Sequence, residues 1–403
     1  MKKSAEFLEY ARLIVKKGVN LQEHETLAIS ADIEAAHLVE AVCLIAYQNG
    51  AKNIIINWTN AHADKLHYIH QSIDNLIDTP KWKKHSFDYI AQNAHAYLNI
   101  ICEHPKLFET IDKGIMQKSR ACNMQSFKSL REAVSSDKIR WCIAAFPNAE
   151  WAQKVFPDDK NAEKKLWDCI QKAVRLDNED CLAAWDKHVE NIKKRSKVLN
   201  ELKIKTVHIK NSLGTDIKMN MLDGYSFGGG MGTSPSGIDF IVNLPTEEIG
   251  TTPDYKSVEG IVFSSMPLAI RGSVINDFWF RFEKGEVVDF GAKEGYEVLK
   301  GILETDEGAR RLGEVSFVGH NDGIGRLGIV FYNILFDENA SCHLALGRGS
   351  GGGNLSEEER LKKGINQSIE HVDFMIGTAD LSVVAECEDE KKVAIFKNGN
   401  WVI

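Results

Sequence analysis

No stretch of the chain is apolar for long enough to cross a bilayer: its richest window, Leu38 to Tyr47, is short and interrupted by Glu40. No signal-peptide core follows Met1, because Phe7 to Val15 alternates with Glu9, Tyr10 and Arg12 as an amphipathic helix does. No block of Lys or Arg exceeds a few residues, and 57 acidic against 49 basic side chains leave a net charge of -8. That balance excludes a phosphate-tracking surface, and with it nucleic acid as a partner. The eight cysteines (43, 102, 122, 142, 169, 181, 342, 387) form no CxxC pair, which excludes a thiolate zinc site and fits reduced thiols in a cytosol. There is no internal repeat, and no low-complexity segment beyond Gly351 to Gly353. Gly224 to Gly232 is glycine-rich but lacks GxGxxG spacing and a following helix, so a hairpin or substrate-side loop is expected instead of a phosphate cradle.

What is present is an ordinary globular composition: 403 residues, 43% hydrophobic and 26% charged, enough for two well-buried domains. Residues 1–200 alternate short apolar runs with amphipathic helices. Strands are expected at Thr26 to Ser30, Asn53 to Asn57, Ala96 to Ile101 and Arg140 to Ala145, with helices at Ile33 to Gln48, Asn60 to Ser72 and Asn123 to Val134. Strands separated by crossover helices imply an α/β domain with a mostly parallel sheet. Residues 201–403 read as a β-rich α+β domain, with strands expected at Val207 to Lys210, Asp216 to Met219, Asp239 to Val242, Val274 to Phe282, Val315 to Val318 and Val393 to Phe396. Helices are expected at Ala292 to Glu304 and Ser356 to Lys363, the latter opened by a Ser356/Glu359 capping box and ended by Gly364.

A hard or borderline divalent metal needs carboxylate oxygens and imidazole nitrogens converging from rigid elements. The second domain supplies Glu248, Glu314, His343, His371 and Asp373 in that order. On a strand His371 and Asp373 share a face and can grip one ion together, while Glu247 turns away from Glu248. By residue type alone each is more often a solvated or satisfied group. His343, however, sits inside the apolar stretch Ala340-Ser-Cys-His-Leu-Ala-Leu346, where a polar side chain needs a partner. Five ligands exceed one tetrahedral zinc and favour two ions sharing a carboxylate and a water. His62, His67 and His70 could cluster on a helix, but His67 and His70 lack an acidic companion with zinc-motif spacing, and the group reads as a solvated helix face. The eight tryptophans read as core or interface aromatics.

These stretches resemble the thermophilic-type metalloaminopeptidase family. The resemblance rests on Asn243-Leu-Pro-Thr-Glu-Glu-Ile249 with Val258-Glu-Gly260, Arg311-Leu-Gly-Glu-Val315, Asn333-Ile-Leu-Phe-Asp-Glu-Asn-Ala-Ser-Cys-His-Leu-Ala-Leu-Gly347 and Gly364-Ile-Asn-Gln-Ser-Ile-Glu-His-Val-Asp-Phe-Met-Ile-Gly377. It runs the length of the chain. It implies a cytoplasmic homodimer acting on peptides, in which Glu248, Glu314, His343, His371 and Asp373 hold two divalent ions (zinc, cobalt or manganese) facing an enclosed cavity. A free carboxylate must then return the proton to the leaving amine; Glu338 is the first candidate and Glu247 the second, against a salt bridge or turn contact for either. The chain departs from the family at Ser350, where a Tyr is usual, and Arg348 is a substitute donor for the oxyanion, against a plain flexible loop. Two other readings stay open. His343, His371 and Asp373 alone suit a mononuclear non-haem iron, as in ring-cleaving dioxygenases, and a metal-binding homologue with weak turnover is the third.

Overall fold

The computed structural model of the chain describes residues 4–351 and 355–403. Its residues group into two compact units, Met1–Trp185 with Met231–Pro245, and Asp186–Gly230 with Thr246–Ile403. The division thus falls at residue 185, inside the helix Cys181–Glu201, where the sequence expectation put it at 200. Met231–Pro245 returns to the first unit because the Ile143 N–H donates to Val242 O (2.8 Å) and the Leu244 N–H to Ile143 O (2.9 Å).

In the first unit, β1 (Thr26–Asp32), β2 (Asn53–Thr59), β3 (Ala96–Ile101) and β4 (Arg140–Ala145) form a wholly parallel sheet of order β2-β1-β3-β4. β1 is central and buried along almost its whole length, as parallel strands covered on both faces are. Ala28 on one face packs with Phe87, Ile90 and Ala91 of the helix Lys81–Asn93 and with Leu130 and Ala133 of Lys128–Ser135. β2 lies at the edge and leaves Ile56 and Trp58 exposed. The helix expected at Asn123 to Val134 is two helices, Lys113–Ser126 and Lys128–Ser135. The first escaped notice because its run of Lys, Gln, Ser and Asn carries only a weak apolar stripe. Trp151, Trp167 and Trp185 are buried, whereas Trp58 and Trp82 are exposed.

The second unit contains a nine-stranded antiparallel sheet that takes in four of the expected strands, seen as Ile204–Lys210, Asp216–Asn220, Ser273–Glu283 and Lys392–Lys397, whereas the strand expected at Asp239 to Val242 falls in the first unit. The helix expected from Ala292 begins only at Tyr296. Ala292 to Glu294 instead complete the strand Glu286–Glu294, which pairs with Ser273–Glu283, and Gly295, at φ 78°, makes the turn into the helix. The Ser356 capping box is present, and Gly364 ends that helix at φ 85°.

Beside it stands a four-stranded antiparallel sheet made of β5 (Ile249–Thr251), β6 (Leu312–Phe317), β7 (His343–Gly347) and β8 (His371–Met375), in the order β8-β7-β6-β5. Side chains alternate between its faces with period two. Val315, Phe317, Leu344, Leu346, Val372 and Phe374 are all buried and share one face by register. Phe374 meets Phe278 and Phe280 edge-on at 6.0 and 5.1 Å between ring centroids, and Phe317 stacks on Phe227. Each such ring pair adds about 0.5–1.5 kcal/mol beyond burial of its area. That face anchors the sheet, and the opposite face is free to carry polar groups.

Candidate metal centre

The pairing of Ser316 with Gly250 and His343, of Ala345 with Glu314 and Asp373, and of Gly347 with His371 fixes which side chains share the polar face. Glu314, His343, His371 and Asp373 all fall on it, and Glu248, two residues before Gly250, joins them. Four strands therefore deliver five side chains, far apart in sequence, to one place. The centre of the ring is Ala345, which pairs with both Glu314 and Asp373 and offers only a methyl. On β5, beside the strand of Glu314, a Cβ at Gly250 would collide with the Ser316 hydroxyl and lie 2.9 Å from Glu314 Oε1, so glycine leaves both groups their positions.

The imidazole of His343 is buried, with Nε2 3.1 Å from Glu248 Oε2 and 3.9 Å from Glu314 Oε1. His371 is 37% exposed by its side chain, with Nε2 3.4 Å from Glu314 Oε2 and 3.4 Å from Asp373 Oδ1. The candidate donor atoms make two triads, Glu248–Glu314–His343 and Glu314–His371–Asp373, each within 4.8 Å. Glu314 belongs to both, one oxygen toward each imidazole. His343 Nδ1 faces Ser341 O at 3.2 Å and His371 Nδ1 faces Arg348 O at 2.8 Å. A carbonyl can only accept, so both Nδ1 atoms donate and both Nε2 atoms are turned to the carboxylates.

Electrostatically the cluster is short of positive charge. Burial alone disfavours the His343 cation, but its hydrogen bond to Glu248 and the charges of Glu248, Asp373 and Glu314 outweigh it and lift its pKa to about 10. His371 rises for the same reason, chiefly through Asp373 against the opposing effect of burial. Burial also works to raise Asp373, yet the adjacent His371 and His343 hold it below the usual carboxylate range. Glu338 is pushed well up by burial and then by Asp373 and Glu248. Buried carboxylates that must borrow protons from neighbouring imidazoles are a donor set that fits divalent cations.

The turn before β7 places Glu338 against this cluster. Asp337 accepts from the N–H groups of Phe331 (2.7 Å) and Asn333 (3.1 Å), closing the turn. The side chain of Asn339 then accepts from Glu247 N–H (2.7 Å) and donates to Leu335 O (3.0 Å) and Glu338 Oε1 (3.3 Å). Glu247 itself is directed elsewhere, its carboxylate lying 3.5 Å from His188 Nε2 and beside Gly323. Ser350 is tied by its backbone to the Thr252 hydroxyl, at 2.8 and 3.0 Å. The rest of that glycine loop, Gly352 to Asn354, lies outside the described residues. Gly224 to Gly232 contributes to a hairpin, Met231–Thr233 with Asp239–Ile241, and Gly228 pairs with Gly250. A side chain at Gly229 would collide with the Glu248 carbonyl, which is why this loop is rich in glycine.

Sequence reasoning passed over Ser316, whose hydroxyl reaches Glu248 Oε2 (3.1 Å) and Glu314 Oε1 (2.9 Å). Its place two residues after Glu314 on a strand was the available signal. Asn339 carried no such signal, since its role depends on where Glu247 folds. A second grouping of possible ligands, Asp32, Glu34 and His104, with His62 and Glu150 beside it, lies in the first unit.

Comparison with known proteins agrees with the resemblance. The chain matches the thermophilic metalloprotease (M29) family over residues 3–401. It is 38% identical to aminopeptidase 2 of Geobacillus stearothermophilus over 400 residues, 98% of this chain and 97% of that protein. With aminopeptidase T of Thermus aquaticus it is 34% identical, over 98% and 97% of the two chains. The structure of wild-type AmpT from Thermus thermophilus superposes with a TM-score of 0.92 at 32% identity, over 99% of this chain and 100% of that one. A 2,5-dihydroxypyridine dioxygenase from Pseudomonas putida KT2440 follows at a TM-score of 0.52 and 13% identity, over 99% and 97% of the chains, a likeness of fold alone. On the match of nearly the whole sequence, the chain belongs to the thermophilic metalloprotease family.

Proposed function

We propose that this chain, an aminopeptidase of its metalloprotease family, releases N-terminal amino acids from peptides with two divalent cations (zinc, cobalt or manganese) held by Glu248, Glu314, His343, His371 and Asp373. The observation that carries the reading is the pair of triads sharing Glu314, whose two oxygens face different imidazoles. In a one-iron dioxygenase Glu248 and Glu314 would stand idle, whereas here they are the groups that the imidazoles approach. Bound there, the cations would supply Lewis acidity for the scissile carbonyl and lower the pKa of water.

The chain's own residues do the rest. Glu338, buried with its pKa raised, is a strong base once ionised, suited to take a proton from the attacking water and hand it to the leaving amine. Ser341 O and Arg348 O keep the imidazoles from rotating, and Ser316 fixes Glu248 against Glu314. The free α-amine of a peptide would be held by a bound cation or by a site carboxylate, which is what would restrict cutting to the terminus. With Ser350 in place of the family's Tyr, Arg348 is the donor we assign to the developing oxyanion. A cytosolic homodimer completes the proposal; the eight cysteines are all free thiols, in keeping with a reducing compartment. Among the described residues no helix is long and apolar enough to cross a membrane.

Aminoacyl-p-nitroanilides with added zinc, cobalt or manganese provide the test. Release with two ions per chain is expected; a folded protein that releases nothing with any of these metals, or holds one iron, sinks the reading.

A further inference from the structure

The sheet of the first unit changes direction between β1 and β3: the chain moves from β1 outward to β2, then returns to the other side of β1 for β3 and β4. Outside the carboxyl ends of the strands at such a point, the loops part and leave a crevice where ligands bind in open α/β sheets. Here each of the four loops brings a potential metal ligand to that end. Asp32 ends β1 and Glu34 follows it, His62 opens the helix after β2, His104 follows β3, and Glu150 lies in the helix after β4.

Polar ties hold these loops together. Asp32 accepts from Glu34 N–H (3.0 Å) through one oxygen and from Ala61 N–H (3.2 Å) through the other, joining the loops after β1 and β2. Asn148 donates to Glu103 O (2.9 Å) and accepts from Trp151 N–H (2.8 Å), joining those after β3 and β4.

The side chain of His104, only 5% exposed, sits in the middle. Its Nδ1 lies 3.2 Å from Glu150 Oε2, and since an ionised carboxylate can only accept, Nδ1 donates and Nε2 presents a lone pair. That Nε2 is buried with no hydrogen-bond partner among the described residues. It points at Asp32 Oδ2, 4.0 Å away, and Glu34 Oε2, 3.9 Å away. These gaps are too long for hydrogen bonds, but two bonds of about 2.1 Å to one ion span up to about 4.2 Å. The His62 ring stands edge-on to His104 at 5.2 Å, with Nε2 3.7 Å from Glu150 Oε1.

We infer that His104 Nε2, Asp32 and Glu34 form a second metal site, separate from the centre on Glu314, which takes one divalent cation of the zinc type. Glu150 orients the imidazole, as carboxylates commonly do behind a metal-bound histidine. One nitrogen and two carboxylates suit zinc, with manganese as the alternative for so oxygen-rich a set. Glu34 is partly exposed, so the remaining coordination positions open toward solvent on its side. This inference does not depend on the aminopeptidase reading.

Full-length protein equilibrated with zinc by dialysis, with metal per chain measured by elemental mass spectrometry, is the test. The wild type is expected to hold one more equivalent than His104→Gln, and Glu34→Gln and Glu150→Gln to bind that equivalent at least tenfold more weakly. Equal metal content in the wild type and all three variants overturns the proposal. Glu34 is exposed enough that its variant will report even if His104→Gln fails to fold. Anomalous diffraction at the zinc edge locates the ion: a peak bonded to His104 Nε2 supports the site, and an ordered water there without anomalous signal refutes it.

Discussion

The hydroxyl of Ser316 bridges two proposed ligands without being one, so Ser316→Ala separates positioning from binding. Groups that hold metal ligands in place typically contribute 10- to 100-fold in affinity. Ser316→Ala is therefore expected to fold normally and to lose metal about 10- to 100-fold more readily to a competing chelator, and unchanged chelator titration would show that the bridge is incidental. Glu338→Gln should do the reverse, keeping two ions per chain while kcat falls by about 10²–10⁴-fold, the usual contribution of a proton shuttle. Loss of metal in that variant would make Glu338 a ligand instead.

Among secondary-structure elements, β7 shows most plainly how the site is cleared of bulk. Both of its faces are buried, one under Leu344 and Leu346 and the other around Ala345. Ala345→Leu would place an isobutyl group in the middle of the ligand ring. The expected outcome is a folded chain, destabilised by about 1–3 kcal/mol from overpacking, that no longer retains metal by elemental analysis. Retention of two ions would mean that Ala345 does not face the ligands. Much of this was legible beforehand. His371 and Asp373 announce a shared face by their spacing, and the strands at Ser273–Glu283 and Lys392–Lys397 by their β-branched and aromatic runs. Strand Glu286–Glu294 was not, because Ala292, Lys293 and Glu294 are good helix formers overridden by pairing with Ser273–Glu283. His104 was equally opaque, since neither Asp32 nor Glu150 lies near it in sequence and only the order of the parallel sheet gathers them.

For the molecule as a whole, the displaced proton equilibria predict how stability follows pH once metal is stripped. His343, raised to about 10 in the folded state from 6.5, contributes stability that is fully present below 6.5 and is lost as pH rises through about 10. His371 acts in the same sense, and Glu338, raised well above the usual carboxylate range chiefly by burial, also makes folding less favourable as pH rises. Chelator-treated protein is thus expected to melt at progressively lower temperature between pH 7 and 10. Metal-loaded protein should not, because cations replace those protons; differential scanning fluorimetry with and without chelator makes the comparison. Parallel curves would mean that the cluster does not govern alkaline stability.

The strands of the ligand sheet are contributed by Ile249–Thr251 at one end and His371–Met375 at the other, close to the end of the 403-residue chain. When about three-quarters of these residues have been synthesised, only Glu248 of the proposed ligands exists, and Glu314, His343, His371 and Asp373 are still to come. If these side chains hold the metal as proposed, metallation would be a late event, one that a chain cut short before His371 could not complete.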